Sequence, residues 1–212
     1  MQTRTVFRMQ KKKDDTYKSI LSVAKEEFIK NGYRNTSMRT ISKKSKIGLS
    51  NIYNYFRNKN EIYLEVLKPL ISFIDTLYDA HNEMENISLD IFYSEEYQKE
   101  SIKTMVSLVE DYRSELKLLL FHSYGSSLEN FRDQYSDKYT EVSMDFLEKI
   151  KMVHPHVNTK VSPFFLHTLS SWMFTIIGEI VTHEELTHQE IEDFMADYIA
   201  FGTSGWKTIL NA

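Results

Sequence analysis

The chain contains no cysteine, only three prolines and only six glycines in 212 residues. Without cysteine there is no disulfide framework, no thiolate nucleophile and no Cys-ligated zinc or iron–sulfur site, so a reducing, cytoplasmic compartment is the expected home. So few glycines and prolines leave little turn chemistry for an all-β chain, and helices are expected throughout. No run approaches ~18 consecutive apolar residues. The nearest, Trp172 to Val181, is interrupted by Thr175 and Glu179, so it reads as a buried helix face and no membrane partner is expected. Residues 1–13 also lack the apolar stretch of a signal peptide. A local absence is as informative: from Phe28 to Asn60 there is no acidic residue at all.

The net charge of −4 conceals a strong asymmetry, since residues 1–59 carry +11 and residues 60–212 carry −15. A basic module followed by an acidic one points to nucleic acid or an anionic surface as the partner of the first, although a solvated charged face gives the same count.

Residues 1–13, with Arg4, Arg8 and Lys11 to Lys13, read as a flexible basic arm that could enter a minor groove or remain disordered. From Asp14 a helical period places Tyr17, Ile20, Leu21, Ala24, Phe28 and Ile29 on one face, and Gly32 is expected in a left-handed conformation at its end. Two short helices follow. Thr36 or Ser37 caps the first, through Ser45, with Met38 and Ile41 inward; the second runs from about Leu49 to Phe56, with Ile52 and Phe56 inward. Asn58 and Glu61 form a capping box for a long helix through about His81. Pro69 within it predicts a kink or break, either a working hinge or a static bend.

Helix, tight turn and short helix in a basic setting is the layout of a helix-turn-helix DNA reader. Leu49, Ser50, Asn51, Tyr53, Asn54 and Tyr55 supply hydroxyls, amides and one apolar side chain to base edges without charge of their own. Residues 36–62, TSMRTISKKSKIGLSNIYNYFRNKNEI, resemble the signature of the TetR family of bacterial transcriptional regulators, with Tyr53, Tyr55, Phe56 and Lys59 at the expected spacing. The helix from Asp14 with Gly32 and Tyr33 extends the resemblance over roughly residues 14–65. Four positions depart from the family pattern: Ser42 stands where Ala is usual, Ser45-Lys46 where Ala-Gly is common, and Gly48 where Ser or Thr caps. A lysine in a left-handed conformation at position 46 costs about 1 kcal/mol more than glycine.

The resemblance implies phosphate contacts from Ser37, Tyr55 and Lys59 and base or groove contacts from Ser50, Asn51, Tyr53 and Asn54; charge and position add Arg39, Lys43 and Lys46, although Lys43, like Lys44, can equally belong to a solvated surface. Tyr53 can equally pack the core with its hydroxyl at the rim. The fold expected is all-α: the arm, a three-helix helix-turn-helix DNA-binding domain over 14–61, and a helical ligand-binding and dimerisation domain over 62–212.

In the second half the most apolar stripes are Phe165, Leu169, Trp172, Met173, Ile176, Ile177 and Ile180, then Ile191, Phe194, Met195, Tyr198, Ile199, Trp206 and Ile209. Thr187 and Glu190 form a second capping box. Two such adjacent helices suggest a homodimer through the last two helices. By family resemblance this domain holds a small-molecule effector that releases an operator duplex. Met105, Tyr112, Phe121, His122, Tyr124, Phe131, His167, Trp172 and Met173 are candidates to line its site, each combining bulk with a polar or polarizable group. A constitutive DNA-binding dimer is the alternative, and a small-molecule enzyme on a helical scaffold a more distant one.

No enzyme, cofactor or metal is expected. His183 and His188 bracket a metalloprotease-like stretch, but five residues turn a helix by about 140° between them, so they do not share a metal ion. Phosphate-loop, Gly-x-Ser-x-Gly and dinucleotide fingerprints are absent from the sequence.

Overall fold

A computed structural model describes the backbone of residues 2–82 and 94–211, with side chains described over 13–77 and 94–211. The described residues form nine helices and no strand: α1 (Gln2–Asn35), α2 (Met38–Ser45), α3 (Leu49–Ile52), α4 (Lys59–Asn82), α5 (Glu95–Asp111), α6 (Arg113–Phe121), α7 (Phe131–Val153), α8 (Pro163–Thr182) and α9 (His188–Leu210).

The chain divides into two compact units, and the division is not the expected one at residue 61. One unit holds the residues up to Ser72 together with Lys117–Glu129; the other holds Phe73–Leu116 and the residues from Asn130 onward.

In the first unit Ile20, Ala24 and Phe28 of α1, Ile41 of α2, Ile52 of α3 and Ile62, Tyr63 and Leu67 of α4 are fully buried. Residues 2–13, expected as an arm, are helical, and α1 begins at Gln2. Met, Gln, Lys and Arg are good helix formers, and neither glycine nor proline stands before Gly32 to stop the helix. Gly32 does take positive φ (72°), with ψ at 170°, a combination almost confined to glycine. A Cβ there would also meet the His122 Cβ at 3.4 Å. α3 is shorter than expected. Beyond Ile52 the bonds Asn54 N to Asn51 O and Tyr55 N to Ile52 O tighten the chain into turns, with Phe56 N still reaching Ile52 O.

The capping box at α4 forms only in half. Asn58 Oδ1 accepts from Glu61 N at 2.9 Å, while the Glu61 carboxylate accepts from Arg57 N and not from Asn58 N. α4 continues through Pro69, which lies on its exposed side, where water can serve the Glu65 carbonyl that lacks its helical donor.

In the second unit α7 packs on α8 and α9 on α5. Leu147, Ile150, Val157, Leu166 and Leu210 form one buried cluster, joined by the partly buried Phe146, Val161 and Trp206. Arg113 caps the end of α8, donating to Ile180 O at 3.0 Å and His183 O at 3.1 Å. The capping box of Thr187 and Glu190 is complete. α8 turns Leu166, Ser170, Phe174, Ile177 and Val181 inward. The expected stripe is split: Ile176, Ile177 and Ile180 are buried, Leu169 and Met173 half-buried, and Phe165 and Trp172 exposed. By length and composition alone α8 is long and apolar enough to cross a membrane, and 44% of its most apolar window is buried.

Candidate nucleic-acid interface

The turn between α2 and α3 is held by the residues that depart from the family pattern. Lys46 ends α2 with φ 57° and ψ 23°, the left-handed conformation in which a side chain is strained. Around it Ser42 Oγ donates to Ile47 O at 2.7 Å, and Ser45 Oγ donates to Ser42 O and accepts from Ile47 N. An alanine at position 42 supplies no such bond, so these hydroxyls offset part of the strain. Gly48 enters α3 with extended backbone and no side-chain cap.

α3 and the turn after it show two faces. Ile52 and Phe56 are buried, Phe56 stacking on Tyr17 of α1 at 5.2 Å between ring centroids. Ser50, Asn51, Tyr53 and Asn54 are exposed, and Tyr53, at 49% exposure, is not a core residue. Asn54 Nδ2 lies 3.4 Å from Asn51 Oδ1, so the two amides form one small polar group. They also line a cleft of about 610 Å³ with Tyr55 and with Lys13, Asp14 and Tyr17 of α1. Tyr55 is half-buried, its ring 6.4 Å from that of Tyr17. The Tyr17 hydroxyl is pushed up to about 12 by burial first, then by its bond to Glu65 and by the Glu65 and Glu61 charges.

Ser37 is the N-cap of α2, its Oγ accepting from Thr40 N at 3.0 Å. Thr36 instead turns inward and donates to Glu27 O and Gly32 O. Arg39, Lys43 and Lys46 are exposed, whereas Lys44 is paired with the buried Glu27 carboxylate. Lys59 is placed differently from a free phosphate-binding cation. Its Nζ donates to Tyr33 O at 2.7 Å and Thr36 O at 2.8 Å and lies 4.0 Å from the Tyr33 ring centroid. Burial lowers its pKa. It fastens the start of α4 to the corner between α1 and α2, with one N–H direction left over.

The segment Lys117–Glu129 builds onto this unit through long-range polar contacts that no spacing in the sequence announces. Tyr33 N donates to His122 O at 3.0 Å. Tyr63 Oη and Ser123 Oγ are 2.6 Å apart, and Asn60 and Ser127 exchange two hydrogen bonds. The Arg34 guanidinium lies over the Tyr124 ring. Three of the expected ligand-lining residues, Phe121, His122 and Tyr124, thus belong here, all exposed, because α6 runs on into the first unit.

The other six lie in the second unit. Phe131 is core, against Tyr135 and Phe174; Tyr112 is half-buried beside Phe73; Met105 and Met173 are half-buried. His167 Nδ1 is 3.2 Å from Asp137, and Trp172 faces Tyr198 and Phe201. His183 and His188 turn to different partners, Glu179 and Glu110.

Residues 20–66 match the family described as bacterial regulatory proteins, tetR family. The chain is similar to the HTH-type transcriptional regulator QacR of Staphylococcus aureus (strain Mu50 / ATCC 700699), with 48% identity over 48 residues, 23% of this chain and 26% of QacR. The match thus spans about a quarter of that relative. Likeness in fold to solved structures extends over a much greater length of this chain. A putative TetR-family transcriptional regulator from Syntrophomonas wolfei str. Goettingen superposes with a TM-score of 0.63 at 17% identity, covering 91% of this chain and 96% of that one. The transcriptional regulator FadR from Bacillus subtilis, in complex with stearoyl-CoA, gives 0.59 at 14%, covering 86% and 97%. With the two-faced α3 and the left-handed turn, residues 20–66 form a reader unit similar to that of the tetR family of bacterial regulatory proteins.

Proposed function

We propose that this protein is a transcriptional regulator, most simply a repressor, that binds an operator duplex as a homodimer and leaves it when a small molecule occupies the second unit. The observation that carries the reading is the arrangement of α3: Ser50, Asn51, Tyr53 and Asn54 stand exposed over the buried Ile52 and Phe56, within a stretch that lacks any acidic residue. Donors, acceptors and one aromatic edge on a short helix suit the floor of a major groove, and the surrounding Arg39, Lys43 and Lys46 suit its phosphate walls. A duplex partner fits the cytoplasmic location expected from the sequence.

Support for the dimer comes from α8 and α9. Phe165 and Trp172 on one, and Phe194 and Phe201 on the other, are each at least 38% exposed, and Trp172 meets Phe201 at 6.0 Å between ring centroids. A second copy related by a two-fold axis would cover this apolar face with the same face. For the effector, FadR of Bacillus subtilis offers a precedent of the fold holding a small molecule, stearoyl-CoA. A ligand changes operator affinity only if it binds the free and the DNA-bound conformations unequally.

Selection of bound duplexes from a random pool, followed by a screen for compounds that release the selected duplex, tests both parts. A two-fold related consensus is expected. Recovery of random sequence only, at salt concentrations where the protein still binds, would overturn the operator reading.

A further inference from the structure

We infer that Arg34, supported by Tyr124, is an additional phosphate contact, and that the DNA-facing surface therefore includes a residue held in place by the segment Lys117–Glu129; this rests on the DNA-binding reading above. Arg34 is exposed and has no carboxylate partner among the described residues, in a stretch of chain free of acidic residues. Its Cζ lies 5.3 Å from the centroid of the Tyr124 ring, and Tyr124 is itself 67% exposed. A guanidinium lying over a ring keeps its N–H groups in plane and unspent, the geometry that meets two oxygens of a phosphodiester.

The backbone around Arg34 is fixed on both sides. Tyr33 N donates to His122 O, and the carbonyls of Tyr33 and Thr36 both accept from Lys59. Asn35 Nδ2 donates to Asn31 O. Three residues on, Ser37 opens α2 on the surface that carries Arg39. Arg34 is thus continuous with the basic face already described, and a duplex is the polyanion that face fits.

Tyr124 is equally well held. Ser123 before it is buried, bonded to Leu118 O, Leu119 O and the Tyr63 hydroxyl. Gly125 after it takes φ 84° and donates to the Glu129 carboxylate. A ring carried on a backbone held in this way gives the arginine a surface to lie on and spares it part of the rotamer freedom it would lose on meeting a phosphate. Tyr124 is a positioning residue, and Arg34 is the contact.

The test measures binding to a selected duplex and to a random one as a function of salt, for the intact protein and for Arg34→Ala, Arg34→Lys, Tyr124→Ala and the double variant. Arg34→Ala should flatten the slope of log affinity against log salt by about 0.9 and weaken both duplexes alike. Arg34→Lys should keep the slope. Tyr124→Ala should lose about two- to fivefold in affinity with an unchanged slope, and should have no effect once Arg34 is alanine. Because both side chains are exposed, unchanged thermal unfolding midpoints are expected to accompany these changes. An unaltered slope and affinity in Arg34→Ala, in a protein that still binds DNA, overturns this inference alone; failure of the intact protein to bind any duplex overturns the reading beneath it.

Discussion

The Lys59 ammonium sits above the Tyr33 ring, 4.0 Å from its centroid, and donates to the carbonyl of the same residue at 2.7 Å. With its second bond, to Thr36 O, it joins the first turn of α4 to the corner between α1 and α2. Replacing Lys59 with Met leaves the Thr36 carbonyl without this donor and removes the cation from the ring. A loss of about 1–2 kcal/mol is expected, seen as a fall of several degrees in the thermal midpoint. A midpoint that does not move would assign Lys59 to DNA alone.

The turn between the two short helices gives a pair of opposite expectations. Ser42→Ala removes the bond to Ile47 O and should destabilise by about 1 kcal/mol. Lys46→Gly relieves a left-handed lysine and should stabilise by about the same amount. Chemical denaturation of both variants checks the signs, and a destabilised Lys46→Gly would mean that the lysine side chain makes a compensating contact in the free protein.

Alkaline pH should weaken the first unit. The Tyr63 hydroxyl is pushed up to about 12, above all by burial, the Ser123 bond opposing the rise and Tyr33 adding to it. The sign follows from proton counting. Below pH 10 both folded and unfolded states hold the proton; between 10 and 12 only the folded state does, so stability falls as pH rises. Each such tyrosine contributes up to about 1.4 kcal/mol per pH unit in that window. Denaturation of Tyr63→Phe between pH 10 and 12 should show a shallower decline than the parent, and an equal slope would place the titration elsewhere.

On the face of α9 that carries the exposed aromatics, Phe201 is 66% exposed. Phe201→Glu should convert a dimer of twice 25.1 kDa into monomers with unchanged helicity, as read by sedimentation and circular dichroism. Trp206 is a poorer probe, since it packs on the core cluster of Leu147, Ile150 and Leu166. A Phe201→Glu protein that still sediments as a dimer would move the interface to another face.

Much of the reader was legible in the sequence because its contacts are local. The period of Ile20, Ala24 and Phe28, the Ser37 cap and the turn at Lys46 each involve residues within a few positions of one another. The attachment of Lys117–Glu129 was not legible. Tyr63 to Ser123 and Asn60 to Ser127 are polar pairs 60 and 67 residues apart, and such pairs leave no periodic trace. For the same reason His122 and Tyr124 read as cavity residues when one borders Gly32 and the other supports Arg34. On α8 the period was right, but both sides of the helix are apolar, so the pattern did not say which side faces inward. Residues 1–13 read as an arm because few of them are apolar; lacking any helix breaker, residues 2–13 extend α1.

On the proposed reading, the exposed face of α3 distinguishes bases. Binding of the intact protein and of Asn54→Ala to a selected duplex and to a random one, at one salt concentration, tests it most directly. Loss of about 1–3 kcal/mol on the selected duplex, with random binding unchanged, is the expected result. Equal losses on both duplexes, or none on either, would contradict it.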